Sequence, residues 1–289
     1  MQNSQNTKGA LLMAGSMAGF AFNDAAIKLG AADIGIYQAI FVRGVFASLL
    51  IGLFAWRMGA FKILPNSTDL RWIALRTLTE LGATFCFLTA LLHMPIANVT
   101  AILQALPLTV SLAAVWLLNE TIGWRRAGAI FIGLVGVMLI IKPGTEGFNS
   151  YAILAMVAVV FITFRDLIVR QFSDQVSTLF VSFVTAIAIT FAGAIALIIT
   201  HSWQPMTSQT LLLLMLASVL IFVGYYCSVA AMRFGEVAIV APFRYSIMIW
   251  AILLGWIIWD ETPDYLTLIG MVIVVSMGVY TFWRERGRL

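Results

Sequence analysis

The sequence predicts an all-α polytopic membrane protein with ten transmembrane helices, built as two inverted five-helix repeats. Three observations predict it. Of the 289 residues, 62% are hydrophobic and 10% are charged, whereas a soluble globule carries about 25% charged residues to keep its surface solvated. Apolar runs of about 20 residues, each long enough to cross a bilayer as a helix, recur along the whole chain. The chain also matches itself when slid by 141 or 142 residues.

The self-match is specific. Phe22-Asn23-Asp24 with Lys28 reappears as Phe164-Arg165-Asp166 with Arg170, and Phe41-Val42 as Phe183-Val184. Phe85-Cys86 reappears as Tyr226-Cys227, Asn119-Glu120-Thr121 as Asp260-Glu261-Thr262, and Gly128 and Gly136 fall on Gly270 and Gly278. A duplicated hydrophobic unit is the mark of a transporter whose two halves enclose a shared site.

The first half supplies five helices, at roughly 9–29, 36–56, 71–93, 96–118 and 124–141. The short polar stretch Met1 to Lys8 leads into the first without a small-residue cleavage site, so that helix is expected to stay as an anchor. Gly15 and Gly19 give it a small-xxx-small face for close packing. Between the second and third, Pro65-Asn66-Ser67-Thr68-Asp69 reads as a turn followed by an N-cap. Gly128, Gly133 and Gly136 line the fifth, and Lys142-Pro143-Gly144 ends it. That break divides the chain into a first unit, 1–148, and a second, 149–289.

The second half repeats the pattern at roughly 151–171, 176–200, 210–232, 237–259 and 263–283. Helices are preferred to strands because each satisfies its own backbone in lipid, and no run alternates in the manner of an outer-membrane strand. With five helices per unit, the second unit must enter the membrane from the opposite face. Trp56, Trp72, Trp124, Trp259 and Trp283 fall near helix ends as interfacial anchors.

Charge sets the orientation. Placing the N-terminus in the cytoplasm puts Lys8, Arg57, Lys62, Arg71, Arg125, Arg126, Arg170, Arg233, Arg284, Arg286 and Arg288 inside, and leaves only Lys28 and Lys142 outside. That bias places both termini in the cytoplasm of a multi-pass protein. The formal charge of +4 is thus an orientation signal and points to no nucleic acid. Cys86 and Cys227 read as interior apolar residues rather than a disulfide or metal pair.

The residues from Leu118-Asn119-Glu120 through Gly128 to Ile132-Gly133-Leu134-Val135-Gly136-Val137 resemble the repeat signature of the drug/metabolite transporter superfamily. Within it they look like the bacterial EamA-type branch of ten helices. Pro107-Leu108 in the fourth helix and Ala241-Pro242-Phe243 in the ninth fit the same pattern. Thr79-Glu80-Leu81-Gly82-Ala83-Thr84, the stretch from His93-Met94-Pro95 to Pro107, and Ile140 to Phe148 resemble the riboflavin importers of that branch. The resemblance implies a bacterial inner-membrane protein whose central cavity is lined by helices one to four and six to nine, with five and ten as supports.

Ionisable groups inside a bilayer cost about 2.5–3.5 kcal/mol on insertion scales and normally face a cavity or a partner. Asp24, Arg43, Arg76, Glu80, Arg165, Asp166 and Arg244 are such groups. Arg76 and Glu80 are one turn apart and can meet, either as a structural pair or as a substrate contact and protonatable switch. Asp24 and Asp166 occupy matched positions, each with a cation one turn on, and suggest symmetric gates or carboxylates tied to Lys28 and Arg170. Arg43, Arg165 and Arg244 read as gating or coupling groups; for Arg43 and Arg244 the alternatives are salt bridges that alternate, static packing, or direct contact with an anion.

Among uncharged groups, Asn23, Asn98 and Gln104 offer amides, and Tyr225, Tyr226 and Tyr245 offer planar faces with polar tips. Together with Arg76 and Glu80 they are the candidate substrate-binding set, suited to a flat heteroaromatic solute. No phosphate loop, HExxH or Ser/His/Asp arrangement stands out, so no cofactor, metal or catalytic residue is expected. The expectation is a secondary-active or facilitative transporter, a monomer or homodimer, with riboflavin uptake as the leading substrate reading and proton or solute coupling as the energy source. Export of amino acids or related metabolites is the alternative, and a membrane-embedded enzyme or lipid-handling protein the alternative of another class.

Overall fold

The computed structural model describes residues 2–62, 65–118, 123–145, 148–173, 175–234 and 237–286. Every regular element among them is a helix: α1 Gln2–Ile34, α2 Ile36–Arg57, α3 Ser67–His93, α4 Ile96–Leu103, α5 Leu106–Leu118 and α6 Trp124–Ile141 in the first half. The second half holds α7 Tyr151–Val169, α8 Thr178–Thr200, α9 Ser208–Phe234, α10 Val237–Val240, a 3₁₀ helix over Ala241–Ser246, α11 Ile247–Trp259 and α12 Tyr265–Arg286. Nine helical segments among the described residues are long and apolar enough to span a membrane, and the shorter apolar stretch Tyr265–Thr281 makes a tenth crossing.

The ends of these helices follow local chemistry. Asn66 Oδ1 accepts from the Asp69 backbone N–H at 2.8 Å, which is the expected N-cap of α3. Lys142 closes α6 in the left-handed region at φ 55°, and Pro143 behind it cannot continue a helix. The signature residues Asn119, Glu120 and Thr121, like Glu146 and Gly147, lie outside the described residues.

The fourth and ninth crossings are each broken, and at equivalent places. Pro107 has no N–H to give the Leu103 carbonyl, so α4 stops at Leu103 and α5 begins at Leu106. Pro242 sits at the start of the 3₁₀ helix, after which α11 resumes at Ile247, 141 residues beyond Leu106. Continuous helices over both regions were the sequence expectation. The interruption frees backbone groups at mid-membrane, which is tolerated only beside protein or a cavity.

The largest helix contacts all cross between halves: α1 on α9, α2 on α8, α3 on α7 and α6 on α12. Exchanging the halves turns α1–α9 into α7–α3 and maps the other two pairs onto themselves. That permutation is a pseudo-twofold, and with five crossings per half its axis lies in the membrane plane. The fold is therefore the inverted-repeat bundle.

Glycine sets the closest approaches. A Cβ on Gly270 would lie 2.6 Å from the Gly136 carbonyl oxygen, so α6 and α12 pack backbone to backbone. Gly19 likewise meets Gly224 across α1–α9, whereas Gly15 has open space where a partner was expected. Leu49, Leu53, Leu78, Phe131, Ile198, Ile257 and Val272 are exposed around the outside, as a face against acyl chains requires.

Candidate functional site

Between the halves lies a cavity of about 440 Å³, within the size range of small-molecule sites. Its walls come from α1, α2, α3, the α4–α5 break, α7, α8, α9 and the 3₁₀–α11 region; α6 and α12 contribute none of the lining residues. This is the wall composition implied by the resemblance.

Glu80 is the hub of the polar wall. Both of its carboxylate oxygens accept from Arg165 Nη1, at 3.2 and 3.1 Å. Arg76 Nη2, one turn back on α3, stands 3.5 Å from Oε2. Arg76 also donates to Thr185 Oγ1 at 2.7 Å, and Arg165 to Asp166 Oδ1 through Nε at 2.9 Å. A chain thus runs from α8 through α3 to α7, joining the halves by charge-assisted hydrogen bonds. The expected Arg76–Glu80 pair forms, but the nearer partner of Glu80 belongs to the other half.

Asn23 and Asp24 repeat the Arg165–Asp166 arrangement on α1: Asn23 Nδ2 donates to Asp24 Oδ1 at 2.9 Å. Arg43 on α2 acts on Asp24 electrostatically without a close ion pair. Gln104 sits at the α4–α5 break and Arg244 in the 3₁₀ helix, both on the cavity wall. Tyr225 projects into the cavity from α9, its ring set edge-on to Phe20 at 5.1 Å and 75°. Tyr245 also borders the cavity, yet it is only 6% exposed and its hydroxyl is turned against Gly278 of α12.

Three candidate residues lie off the wall. Tyr226 is 62% exposed on the outside of α9, because adjacent helical residues point about 100° apart and Tyr225 takes the inward direction. Asn98 is packed in the first turn of α4, away from the lining, with Oδ1 buried and unpartnered. Asp166 turns from the cavity toward Arg165.

The cavity ends differently at its two faces. Toward the face where α1 begins and α12 ends it reaches Ile51 and Leu179, the latter in the first turn of α8. Toward the opposite face it stops at Ile27, Ile40 and Leu88, beyond which Ala31, Ile34, Ala39 and Leu214 are buried in one apolar cluster. There Lys28 Nζ donates to Glu261 Oε1 at 3.1 Å and to the Met94 carbonyl at 2.6 Å. Glu261 Oε2 accepts from the Ile96 N–H at 3.1 Å, capping α4, which has no side-chain cap of its own. The expected tie of Lys28 to Asp24 is not made; Glu261 takes Lys28 instead, since it also finds a helix N-terminus there to satisfy it. The Trp259 ring lies 4.9 Å from Lys28 Nζ and packs partly buried against the core.

Glu261, Thr185, Ser218 and Phe20 were not singled out from the sequence. Glu261 had a usable signal, because it repeats Glu120 in the duplicated motif. Among the described residues no group of three or more His, Cys, Asp or Glu is placed to hold a metal.

Comparison with known proteins agrees with this geometry. The model of the EamA-like transporter family matches residues 7–142 and again residues 149–282. The S-adenosylmethionine uptake transporter of Rickettsia prowazekii (strain Madrid E) is 25% identical over 264 residues, covering 91% of this chain and 88% of that protein. The Pseudopaline exporter CntI of Pseudomonas aeruginosa (strain UCBPP-PA14) is 25% identical over 271 residues, 93% of this chain and 94% of its own. The Riboflavin transporter of Vibrio cholerae serotype O1 is 27% identical over 220 residues, 74% of this chain and 72% of its own. A solved structure described as "Crystal structure of protein" has a TM-score of 0.64 at 16% identity, over 98% of this chain and 99% of that one; that likeness concerns the fold alone.

Proposed function

The chain belongs to the EamA-like transporter family, and from that premise we propose that it moves a flat, polar metabolite across the bacterial inner membrane by alternating access, with riboflavin uptake the leading reading. It is a transporter of small molecules and a multi-pass membrane protein, not an enzyme. The observation that carries the mechanism is the asymmetry of the cavity. Its polar wall is shared by units 1–148 and 149–289, and it is sealed at one face by Lys28, Glu261, Met94 and Ile96 while it extends toward the other. By the charge bias of the loops the face where α1 begins and α12 ends is cytoplasmic, so the conformation faces inward. The symmetric breaks at Gln104–Ala105 and Ala241–Ser246 are the points where each half can flex.

Riboflavin is favoured by the aromatic wall of Phe20, Phe87, Phe222 and Tyr225, by the size of the cavity and by the relative in Vibrio cholerae. The second reading, export of an amino-acid-derived metabolite, is favoured by the guanidinium groups of the wall and by the exporter in Pseudomonas aeruginosa. Uptake of labelled riboflavin into proteoliposomes tests the first directly. Accumulation above protein-free vesicles is expected, together with rescue of a riboflavin auxotroph. Liposomes that take up no riboflavin but exchange amino acids would transfer the assignment to the second.

A further inference from the structure

We propose that the substrate of this cavity carries an anionic group, a carboxylate or a phosphate, and that Arg43 is its anchor. The inference rests on the cavity being the substrate site; it favours the second reading, an acidic metabolite, over riboflavin itself, which carries neither group. Of the charged residues on the wall, Arg43, Arg76, Arg165 and Arg244 are cationic, and Asp24 and Glu80 are anionic. The wall therefore holds a formal surplus of two positive charges in a low-dielectric surrounding, where an uncompensated cation is costly.

Asp166, just off the wall, pairs with Arg165 and reduces the surplus to one, and Arg244 is exposed; the hydrogen bonds distinguish the remaining cations. Arg76 is engaged by Glu80 and Thr185, and Arg165 by Glu80 and Asp166. Asp24 accepts from the neutral Asn23 amide, and the cation that acts on it is Arg43, without a bond between the two. Arg43 makes no side-chain hydrogen bond or close ion pair, and its Nε is buried with no partner. Nη1 and Nη2, unlike Nε, keep accessible surface on the cavity wall, so they are the donors that an entering solute can meet, and an unpartnered guanidinium beside a cavity calls for such a partner.

Arg43 is also held so that it can present its guanidinium. Its carbonyl accepts from Ser218 Oγ of α9 at 3.0 Å. The next residue, Gly44, lies so near Thr190 of α8 that a Cβ there would stand 3.1 Å from the Thr190 Cα. The backbone is thus pinned from two sides while the planar fork remains free. A guanidinium fork matches a carboxylate or phosphate through two parallel hydrogen bonds. Arg43 and Tyr225 line the same cavity, so the acidic group and the flat body would share one chamber.

The test uses the full chain in lipid nanodiscs and matched pairs that differ only in charge: indole-3-acetate with indole-3-acetamide, nicotinate with nicotinamide, and riboflavin 5′-phosphate with riboflavin. Dissociation constants are read by tryptophan quenching and thermal shift. In at least one pair the anion should bind roughly tenfold tighter than its neutral partner, the carboxylate and phosphate arms showing which acid is preferred. Arg43→Gln should bring that ratio to about one, and Arg43→Lys, which keeps the charge but loses the fork, should retain part of it. If the Gln variant does not fold, the partial loss in the Lys variant carries the result. Neutral members binding as tightly as their anions, a preference that survives both substitutions, or silence from every anion at millimolar concentration would overturn the proposal. Riboflavin bound with its phosphate excluded would overturn it while leaving riboflavin uptake standing. Discrimination in the carboxylate pairs with both flavins silent would support it and remove the riboflavin reading.

Discussion

Lys28 and Glu261 stand 3.1 Å apart and tie α1 of the first half to the segment before α12 of the second. Their chain separation is 233 residues, and the pair lies between the cavity and the face opposite the start of α1. Glu261 also caps α4, so a single carboxylate holds three pieces of the closed face: α1, the α3–α4 junction and its own loop. Opening that face requires these bonds to break together.

Removing the carboxylate charge should therefore favour the open face. Glu261→Gln is expected to raise labelling of a cysteine placed at Ile27 by an impermeant maleimide added from that side. Loss of a part-buried, charge-assisted bond costs roughly 1.5–3 kcal/mol, enough for a rise of about tenfold or more in the open population. The exchange Lys28→Glu with Glu261→Lys should recover only part of the closure, because an ammonium cannot accept the Ile96 N–H and a carboxylate cannot donate to the Met94 carbonyl. Labelling that does not change in the single variant would mean the pair is incidental to closure.

Glu80 makes a contrasting prediction, because its partners face the cavity. Glu80→Gln leaves Arg76 and Arg165 without their shared carboxylate, and stripping one partner from a buried ion pair costs about 3–5 kcal/mol. A lower melting temperature and loss of transport are expected. Lowering the cavity charge again with Arg76→Gln should recover part of the stability of Glu80→Gln. If Glu80 carries the coupled proton, uptake by any variant that still transports will lose its pH dependence; an unchanged profile would exclude that role.

How much of this was legible beforehand depended on the range of the signal. The ten apolar runs and the duplication are local or periodic, and both survive in the bundle. The N-cap at Asn66 was readable because it needs only three residues. The break at Pro107 was visible as a proline in an apolar run, but a proline can kink a helix without ending it, so a continuous helix was expected. Glu261 as partner of Lys28 was out of reach, since Asp24 stands one turn away in sequence and packing alone decides against it. Tyr225 and Tyr226 could not be separated either, because an all-apolar helix lacks the polar face that would report its rotation.

That rotation gives a prediction with an internal control. Tyr225 enters the cavity and Tyr226 faces the surround. Tyr225→Ala should weaken binding of a flat ligand by roughly fivefold to tenfold, the loss of one aromatic contact. Tyr226→Ala should leave it within about twofold, because its side chain touches neither the cavity nor its polar wall. Equal losses from both substitutions would show that α9 is turned so that both rings meet the ligand.

The α6–α12 contact predicts a loss of stability separated from the transport site. Neither helix contributes to the cavity wall, yet Gly136 and Gly270 bring their backbones within reach of each other, and a Cβ on Gly270 meets the Gly136 carbonyl at 2.6 Å and the Ile140 backbone nitrogen at 3.2 Å. Backbone cannot swing aside as a side-chain tip can, so Gly270→Ala must push the helices apart. Overpacking of this kind costs about 1–3 kcal/mol, read as a fall in melting temperature in detergent. Affinity for ligand in the surviving folded fraction should be unchanged. Gly128→Ala on the same face of the sequence pattern is the control, because nothing lies within 4 Å of its added carbon and alanine favours a helix over glycine by about 1 kcal/mol. A Gly128→Ala protein as unstable as Gly270→Ala would show that small size matters along all of α6, through a contact outside this chain such as a second copy, rather than at the α6–α12 crossing.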